Sequence, residues 1–176
     1  MPQLTLPDMR FHASFLAAVK EFTDVGGMDP KSLLAQEIEE YGDSWRDPAV
    51  FAAYVAGLLA ARERPRREGW VPATTLWYVE GDTFLGRISI RHRLTPFLLE
   101  RGGHIGYDIR PGARRRGHAT AMLREALPLC RGLGIVRVLI TCDTTNVASR
   151  KVIEAGGGEF EDERGGKLRY WIRTGL

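Results

Sequence analysis

The feature that most constrains the fold is a strand-like segment that passes through a basic turn directly into an amphipathic helix. Residues 109–120 read Ile-Arg-Pro-Gly-Ala-Arg-Arg-Arg-Gly-His-Ala-Thr. Apolar residues then recur at spacings of three and four, which places them on one helix face: Ala119, Met122, Leu123, Ala126, Leu127 and Cys130. A strand, a turn and a helix in this order predict a crossover connection in an α/β protein.

The first turn of this helix predicts a site for an anion. Its backbone N–H groups lack partners within the helix and carry the positive end of the helix dipole. Gly117 and Ala119 allow a ligand to approach the backbone, and Arg114, Arg115 and Arg116 stand directly in front. The pattern indicates a phosphate or pyrophosphate site. The alternative is a solvated basic turn, which is the common state of an arginine run.

Two phosphate-binding loops are excluded by spacing. No Walker loop is present, because no Gly is followed at the required distance by Gly-Lys-Ser/Thr. Gly102, Gly103 and Gly106 lack the spacing of a dinucleotide-binding loop. What remains is Arg114-x-x-Gly117-x-Ala119, which resembles the acyl-CoA pyrophosphate loop of the GNAT superfamily of N-acyltransferases.

Neighbouring segments extend this resemblance. Residues 103–111 are similar to the strand that leads into the family's loop, and residues 136–143 are similar to the next strand. Residues 146–157 are similar to the second helix that contacts the cofactor. Gly-Gly-His-Ile-Gly-Tyr and Ile-Thr-Cys-Asp also resemble a bacterial subgroup described only as predicted acetyltransferases. The resemblance is good over residues 70–173 and loose before them.

The predicted fold is a single α/β domain over residues 1–176. Periodicity predicts helices near residues 9–25, 30–41 and 47–64, and strands at 4–6, 74–80 and 84–91. Gly81-Asp82 suits the turn of a hairpin. We expect one mixed, mostly antiparallel sheet with one parallel crossover and flanking helices. Residues 1–69 would form a mainly helical acceptor side, and residues 70–173 a cofactor-binding core.

The resemblance implies a function and a cofactor. An acetyl group would move from acetyl-CoA to an amine by direct attack in a ternary complex, so no enzyme nucleophile is required. Homodimers are common in the family. The residues implied in binding acetyl-CoA are Ile109, Arg110, Arg114, Arg115, Arg116, Gly117, His118, Ala119, Thr120, Asn146 and Ser149. Asn146 could equally cap the helix that follows it.

Three residues are predicted to be catalytic. His104 stands where family members often carry a glutamate, and an unperturbed histidine suits a general base near neutral pH; it could instead only cap or pack. His92 is a second candidate base. Ser149 matches the serine that, in the ribosomal-protein branch, hydrogen-bonds the CoA sulfur, although a serine there could simply order the helix. The family's usual tyrosine position holds Ile153.

Composition limits the other classes of function. The chain has 176 residues, 44% hydrophobic and 27% charged, which is typical of globular proteins. No apolar run is long enough to span a bilayer, and the N-terminus does not resemble a secretory signal. Two cysteines, Cys130 and Cys142, favour a reducing cytoplasm over a disulfide framework. The four histidines lack the spacing of metal ligands.

Two other functions stay open at this point. The chain could be a catalytically weak sensor that binds acyl-CoA, because the tyrosine position is lost. The arginine run could bind nucleic acid, but a net charge of +3 is modest and no aromatic platform accompanies the arginines. Neither alternative accounts for both the basic loop and the helix that carries Asn146 and Ser149.

Overall fold

A computed structural model describes residues 1–175. These residues form seven strands and six α-helices in the following order: β1 (Gln3–Thr5), α1 (His12–Val25), α2 (Leu33–Tyr41), α3 (Pro48–Ala60), β2 (Ala73–Glu80), β3 (Thr83–Arg91), α4 (Pro96–Glu100), β4 (Ile105–Ile109), α5 (His118–Gly132), β5 (Arg137–Asp143), α6 (Val147–Ala155), β6 (Glu159–Arg164) and β7 (Lys167–Arg173). The predicted helices and strands are therefore confirmed, with ends that differ by a few residues. The short helix α4 was not indicated by the sequence pattern. No helix within residues 1–175 is long and apolar enough to cross a membrane.

The strands form two antiparallel sheets instead of one. The first has the order β1-β2-β3-β4 and the second the order β5-β7-β6. The mixed α/β class with antiparallel pairing and flanking helices is confirmed, but the expectation of one continuous sheet is wrong. The crossover helix α5 does connect β4 to β5, yet no ladder joins these strands in the part of the chain that the structure describes. The strands β4 and β5 belong to different sheets and do not form the expected parallel pair.

The first sheet is covered on both faces, which explains why its central strands are almost continuously buried. On one face, Leu76 and Ile88 pack with Met122 of α5 and Ile153 of α6. On the other face, Trp77 packs in an aromatic cluster with residues of the N-terminal helices: Phe11, Phe15, Trp45, Phe51 and Tyr54. Alternate residues of a strand point to opposite faces. We call these the α5 face and the α1–α3 face.

Local signals set several element ends. The β2–β3 hairpin turns at Gly81, whose φ of 57° is readily adopted by glycine. Asp47 caps α3 by accepting from Ala49 N–H, and Pro48 occupies the first turn. Ser32 caps α2 in the same way, accepting from Ala35 N–H. These caps determine where α2 and α3 begin.

Candidate active site in the gap between the sheets

The free edge of β4 lines the gap between the two sheets. In its ladder with β3, the N–H of Arg110 donates to Leu85 O at 2.8 Å, and His104 O accepts from Arg91 N–H at 2.7 Å. Even-numbered residues therefore pair with β3, and the odd ones point their N–H and C=O groups away from it. The N–H groups of Tyr107 and Ile109 therefore face the side of β4 on which no strand of the described residues pairs with it. An extended ligand could pair with this edge as an additional strand does.

One end of the gap is closed by His104. Its N–H donates to Leu139 O at 2.8 Å, and its Nδ1 accepts from Leu139 N–H at 2.9 Å. Gly103 beside it has φ 60°, and a Cβ there would lie 2.3 Å from Leu139 O. Gly102 N–H also donates to Thr141 Oγ1 at 2.9 Å. These bonds hold β4 against β5 at this end of the gap.

The basic loop presents unpaired backbone N–H groups, as the sequence predicts. Arg115 has φ 59° and is the one non-glycine residue with positive φ within residues 1–175. Gly117 has φ 79° and precedes α5, whose first closing bond runs from Ala121 N–H to Gly117 O at 3.0 Å. The N–H groups of residues 115–120 donate to no atom that the structure describes. Left-handed residues beside a helix N-terminus form a concave, positively polarised site.

Glu21 of α1 holds the basic loop in place through hydrogen bonds to Arg110 and Gly112. One carboxylate oxygen accepts from Arg110 Nη2 at 2.6 Å, and the other accepts from Gly112 N–H at 2.8 Å. Hydrogen bonding to Arg110 holds the pKa of Glu21 below its usual range, although burial acts in the opposite direction. Arg110 also donates to Phe84 O at 2.9 Å. Its side chain is thus occupied in supporting the loop.

The three consecutive arginines are exposed. Arg114 Nε donates to Ile109 O at 3.2 Å, and its guanidinium lies 5.7 Å from the ring centre of Phe22. Beside Phe22, a groove of about 270 Å³ runs between the end of α1 and α2 and includes Met28 and Ile38. His118, at the start of α5, meets the ring of Tyr78 edge to face, and its Nε2 is buried without a partner among the described residues.

A pair of hydroxyl groups bridges the gap on the α5 face. Asn146 caps α6 by accepting from Ser149 N–H at 3.1 Å, so the capping alternative for Asn146 is present in the structure. The Ser149 Oγ lies 2.7 Å from the hydroxyl of Tyr107 in β4. Burial raises the pKa of Tyr107 to about 12, with the hydrogen bond to Ser149 acting against it. The phenol therefore keeps its proton at neutral pH.

The α1–α3 face of the gap carries a network of charges. Asp108 follows Tyr107 and so points to the opposite face. Its carboxylate lies 3.7 Å from Arg87 Nε. Burial raises the pKa of Asp108, although Arg87 lowers it. Arg87 also donates at 2.8 Å to Glu37, which is fully buried on α2. Glu37 accepts in addition from Arg66 at 2.8 Å and from the Tyr54 hydroxyl.

The structure separates the three predicted catalytic residues. His104 is buried, and both burial and the charge of Arg91 lower its pKa to about 4. Since Nδ1 accepts a backbone N–H, the neutral ring carries its proton on Nε2. His92 Nε2 pairs with Thr74 Oγ1 at 2.8 Å on β2, and it lies away from the free edge of β4. Of the three, Ser149 lies at the open part of the gap.

Three residues of this site were not predicted from the sequence to be functional. Tyr107 and Asp108 are part of the strand that leads into the loop, and Glu21 lies on a helix about ninety residues earlier. Strand alternation alone would have placed Tyr107 and Asp108 on opposite faces. No local sequence signal pairs Glu21 with Arg110.

Cys130 and Cys142 are buried free thiols, and burial raises the pKa of each. The pKa of Cys130 reaches about 11.

Comparisons with known proteins bear on the fold and the family of this chain. No curated protein matches the sequence. The structure resembles that of Mycobacterium smegmatis RimJ in complex with CoA-disulfide, with a TM-score of 0.65 and 21% identity over 98% of this chain and 81% of that chain. It also resembles ribosomal-protein-S5-alanine acetyltransferase from Vibrio fischeri, with a TM-score of 0.70 and 13% identity over 98% and 93%. A third neighbour is the microcin C7 self-immunity acetyltransferase MccE in complex with acetyl-CoA and AMP, with a TM-score of 0.66 and 12% identity over 98% and 92%.

At these identities the solved structures establish the fold alone. The model of the acetyltransferase (GNAT) domain matches residues 23–159, which is more than half of the chain. The matched segment contains the basic loop, the free edge of β4 and the start of α6. The chain therefore belongs to the GNAT acetyltransferase family.

Proposed function

We propose that this protein transfers an acetyl group from acetyl-CoA to the amine of an acceptor, by direct attack in a ternary complex. The observation that carries the proposal is the free edge of β4 ending at a loop whose backbone N–H groups are all unpaired over residues 115–120. Structural neighbours hold CoA or acetyl-CoA, and family membership makes the same ligand the natural occupant here.

The cofactor would lie along β4 and over the basic loop. Its pyrophosphate would accept from the N–H groups of residues 115–120, assisted by the exposed Arg115 and Arg116. Its pantetheine arm would pair with the N–H groups of Tyr107 and Ile109, which face away from β3. In this proposal Arg110 acts indirectly, because its guanidinium holds Glu21 instead of facing the ligand. Asn146 acts as the cap of α6.

Asp108 is the residue that we assign to the acceptor amine. Its carboxylate is 28% exposed, lies on the free strand and faces the side opposite the Tyr107–Ser149 pair. A carboxylate there would attract an ammonium group and take its proton, directly or through water. We assign His104 a positioning role, since its Nδ1 is occupied and its pKa is about 4. We give His92 no catalytic role.

Ser149 and Tyr107 would serve the leaving group. When the amine nitrogen attacks the carbonyl carbon, an amide bond forms, the carbon–sulfur bond breaks, and the sulfur leaves with the bonding electrons. Cysteine-like thiolates have a pKa of about 8.5 and need only a weak acid. The Ser149 hydroxyl would donate a hydrogen bond to this sulfur, and Tyr107 would hold the serine in place through the 2.7 Å contact. The tyrosine hydroxyl near the leaving group would thus come from Tyr107 of β4. Position 153 of α6, where the family usually has a tyrosine, holds Ile.

The test combines binding and turnover. Calorimetry should show acetyl-CoA binding, and release of free CoA should depend on an added amine. Asp108→Asn should lower turnover by about 10²–10⁴-fold with acetyl-CoA affinity unchanged, while Asp82→Asn in the remote β2–β3 turn should have no effect. Binding without turnover against any amine would contradict the transferase and favour the acyl-CoA sensor. Absence of acetyl-CoA binding would contradict both the transferase and the acyl-CoA sensor.

A further inference from the structure

The guanidinium of Arg91 is a partly buried cation without a carboxylate partner among residues 1–175. Its Nη1 donates to two backbone carbonyls, Gly102 O at 3.0 Å and Gly103 O at 3.2 Å. No Asp or Glu oxygen within residues 1–175 lies within 4 Å of it, and its Nε and Nη2 donate to no described atom. An arginine cannot shed its charge at physiological pH, so removing it from water without a counterion is costly.

Other arginines with little exposure are treated differently by this fold. The side chains of Arg87, Arg110 and Arg169 are 5%, 11% and 1% exposed, and each meets at least one carboxylate. Arg66, at 18%, meets Glu37. Arg91 thus lacks the carboxylate partner that each of these four arginines has. Burial and the nearby charge of Arg87 lower the pKa of Arg91, which agrees with a missing anion.

The position of Arg91 relates it to the proposed acceptor site. Arg91 ends β3 on the same face as Arg87. Its Nη2 lies 3.6 Å from the point where a Cβ on Gly106 would be, so the guanidinium lies against β4 where that strand has no side chain. Asp108 is two residues further along β4 on the same face, which is a separation of about 7 Å between strand positions. The Arg91 guanidinium, which lies beside Gly106, and the Asp108 side chain thus belong to successive positions on the same face of β4.

We infer that the acceptor is an α-amino acid, whose carboxylate pairs with Arg91 while its amine faces Asp108. This inference rests on the proposed function. An α-amino acid with hydrogen bonds of about 2.8 Å at each end is long enough to reach between these two strand positions, and a guanidinium matches a carboxylate with two parallel bonds. The N-terminus of a protein has a neutral amide in place of that carboxylate. It would leave Arg91 without a counterion.

The experiment compares matched acceptors. Each proteinogenic L-amino acid is assayed beside its carboxamide and beside a dipeptide that begins with the same residue, by release of free CoA from acetyl-CoA. The wild-type protein should prefer the best amino acid over its carboxamide by about 10–100-fold in kcat/KM, the range expected of one charge-assisted pair. Arg91→Met should reduce this preference to near unity. Arg93→Met, an exposed arginine two residues further on, should retain it.

Two further measurements test the inference even if Arg91→Met does not fold. Arg91→Lys retains the charge and should keep a weaker preference. In the wild-type protein, the deaminated carboxylic acid of the best substrate should compete with that substrate, and its amide should not. Equal or better use of carboxamides or dipeptides would overturn the assignment and leave the acetyltransferase standing. Loss of acetyl-CoA binding itself would overturn both.

Discussion

Glu37 offers the sharpest test of the charge network beneath the proposed acceptor site. This carboxylate is fully buried and accepts hydrogen bonds from Arg66 and Arg87, both at 2.8 Å. Burial raises the pKa of Glu37, but the charges of Arg87 and Arg66 outweigh it, so the pKa lies below its usual value of 4.5. Glu37→Gln keeps the shape of the side chain and removes the charge. It leaves two guanidinium groups without their shared anion.

The expected cost is large because the network is buried. Removing one partner of a buried ion pair typically costs about 3–5 kcal/mol, which corresponds to a melting temperature lower by about 6–20 °C in a domain of this size. Glu40→Gln is the matched control on the same helix. Glu40 is 51% exposed and pairs with Arg67 at 2.7 Å, so its loss should cost about 0–1 kcal/mol.

The assay is urea denaturation of both variants and the wild-type protein between pH 3 and 7. A depressed carboxylate pKa stabilises the fold fully above its unfolded value and loses that contribution as the pH falls. The gap between wild type and Glu37→Gln should therefore be largest at pH 7 and should shrink below about pH 4.5. The reasoning is refuted if Glu37→Gln and Glu40→Gln are equally stable at pH 7, or if their difference does not depend on pH.

Three further predictions concern the loop and the closed end of the gap. Gly117→Glu should abolish acetyl-CoA binding in calorimetry, because it introduces a strained φ and a negative charge where the negative pyrophosphate is proposed to bind. Gly134→Glu, with a similar φ of 82° at the far end of α5, should bind acetyl-CoA normally. Equal binding by both variants would contradict the loop assignment. Glu21→Ala should lower the free energy of unfolding by about 1 kcal/mol at pH 7, less than a buried charged bond because the carboxylate is 34% exposed, and the difference should vanish in acid. The pKa of His104 is lowered from 6.5 to about 4, so the wild-type protein should lose stability as the pH falls from about 6.5 to 4, where the unfolded chain takes up the proton first. His104→Asn retains an acceptor for Leu139 N–H, and denaturation should show that its stability lacks this component; an identical pH profile would argue for a different protonation state of His104.

The sequence by itself determined the parts of this protein whose causes are local. The helix period of residues 118–132, the glycine before it and the unpaired first turn together predict the anion-binding loop, and the structure has each of these features. The turn at Gly81-Asp82 and the cap at Asn146 follow from the conformational freedom of glycine and from a side chain that accepts a nearby N–H. The fold class follows from the order of these elements.

Only the tertiary structure decided how distant residues meet. The strands β4 and β5 meet at His104 and share no ladder among the described residues further along, where the Tyr107 hydroxyl of β4 instead meets Ser149 of α6. The first of these contacts makes His104 an acceptor of a backbone N–H, a state that its neutral-range pKa in isolation does not predict. Long-range partners set the charge and protonation of a side chain, and such partners carry no periodic signal along the chain. For that reason the loop could be predicted from sequence, whereas Asp108 and Arg91 acquire their proposed roles only from the pairing of β3 with β4, which places them on one face of the sheet.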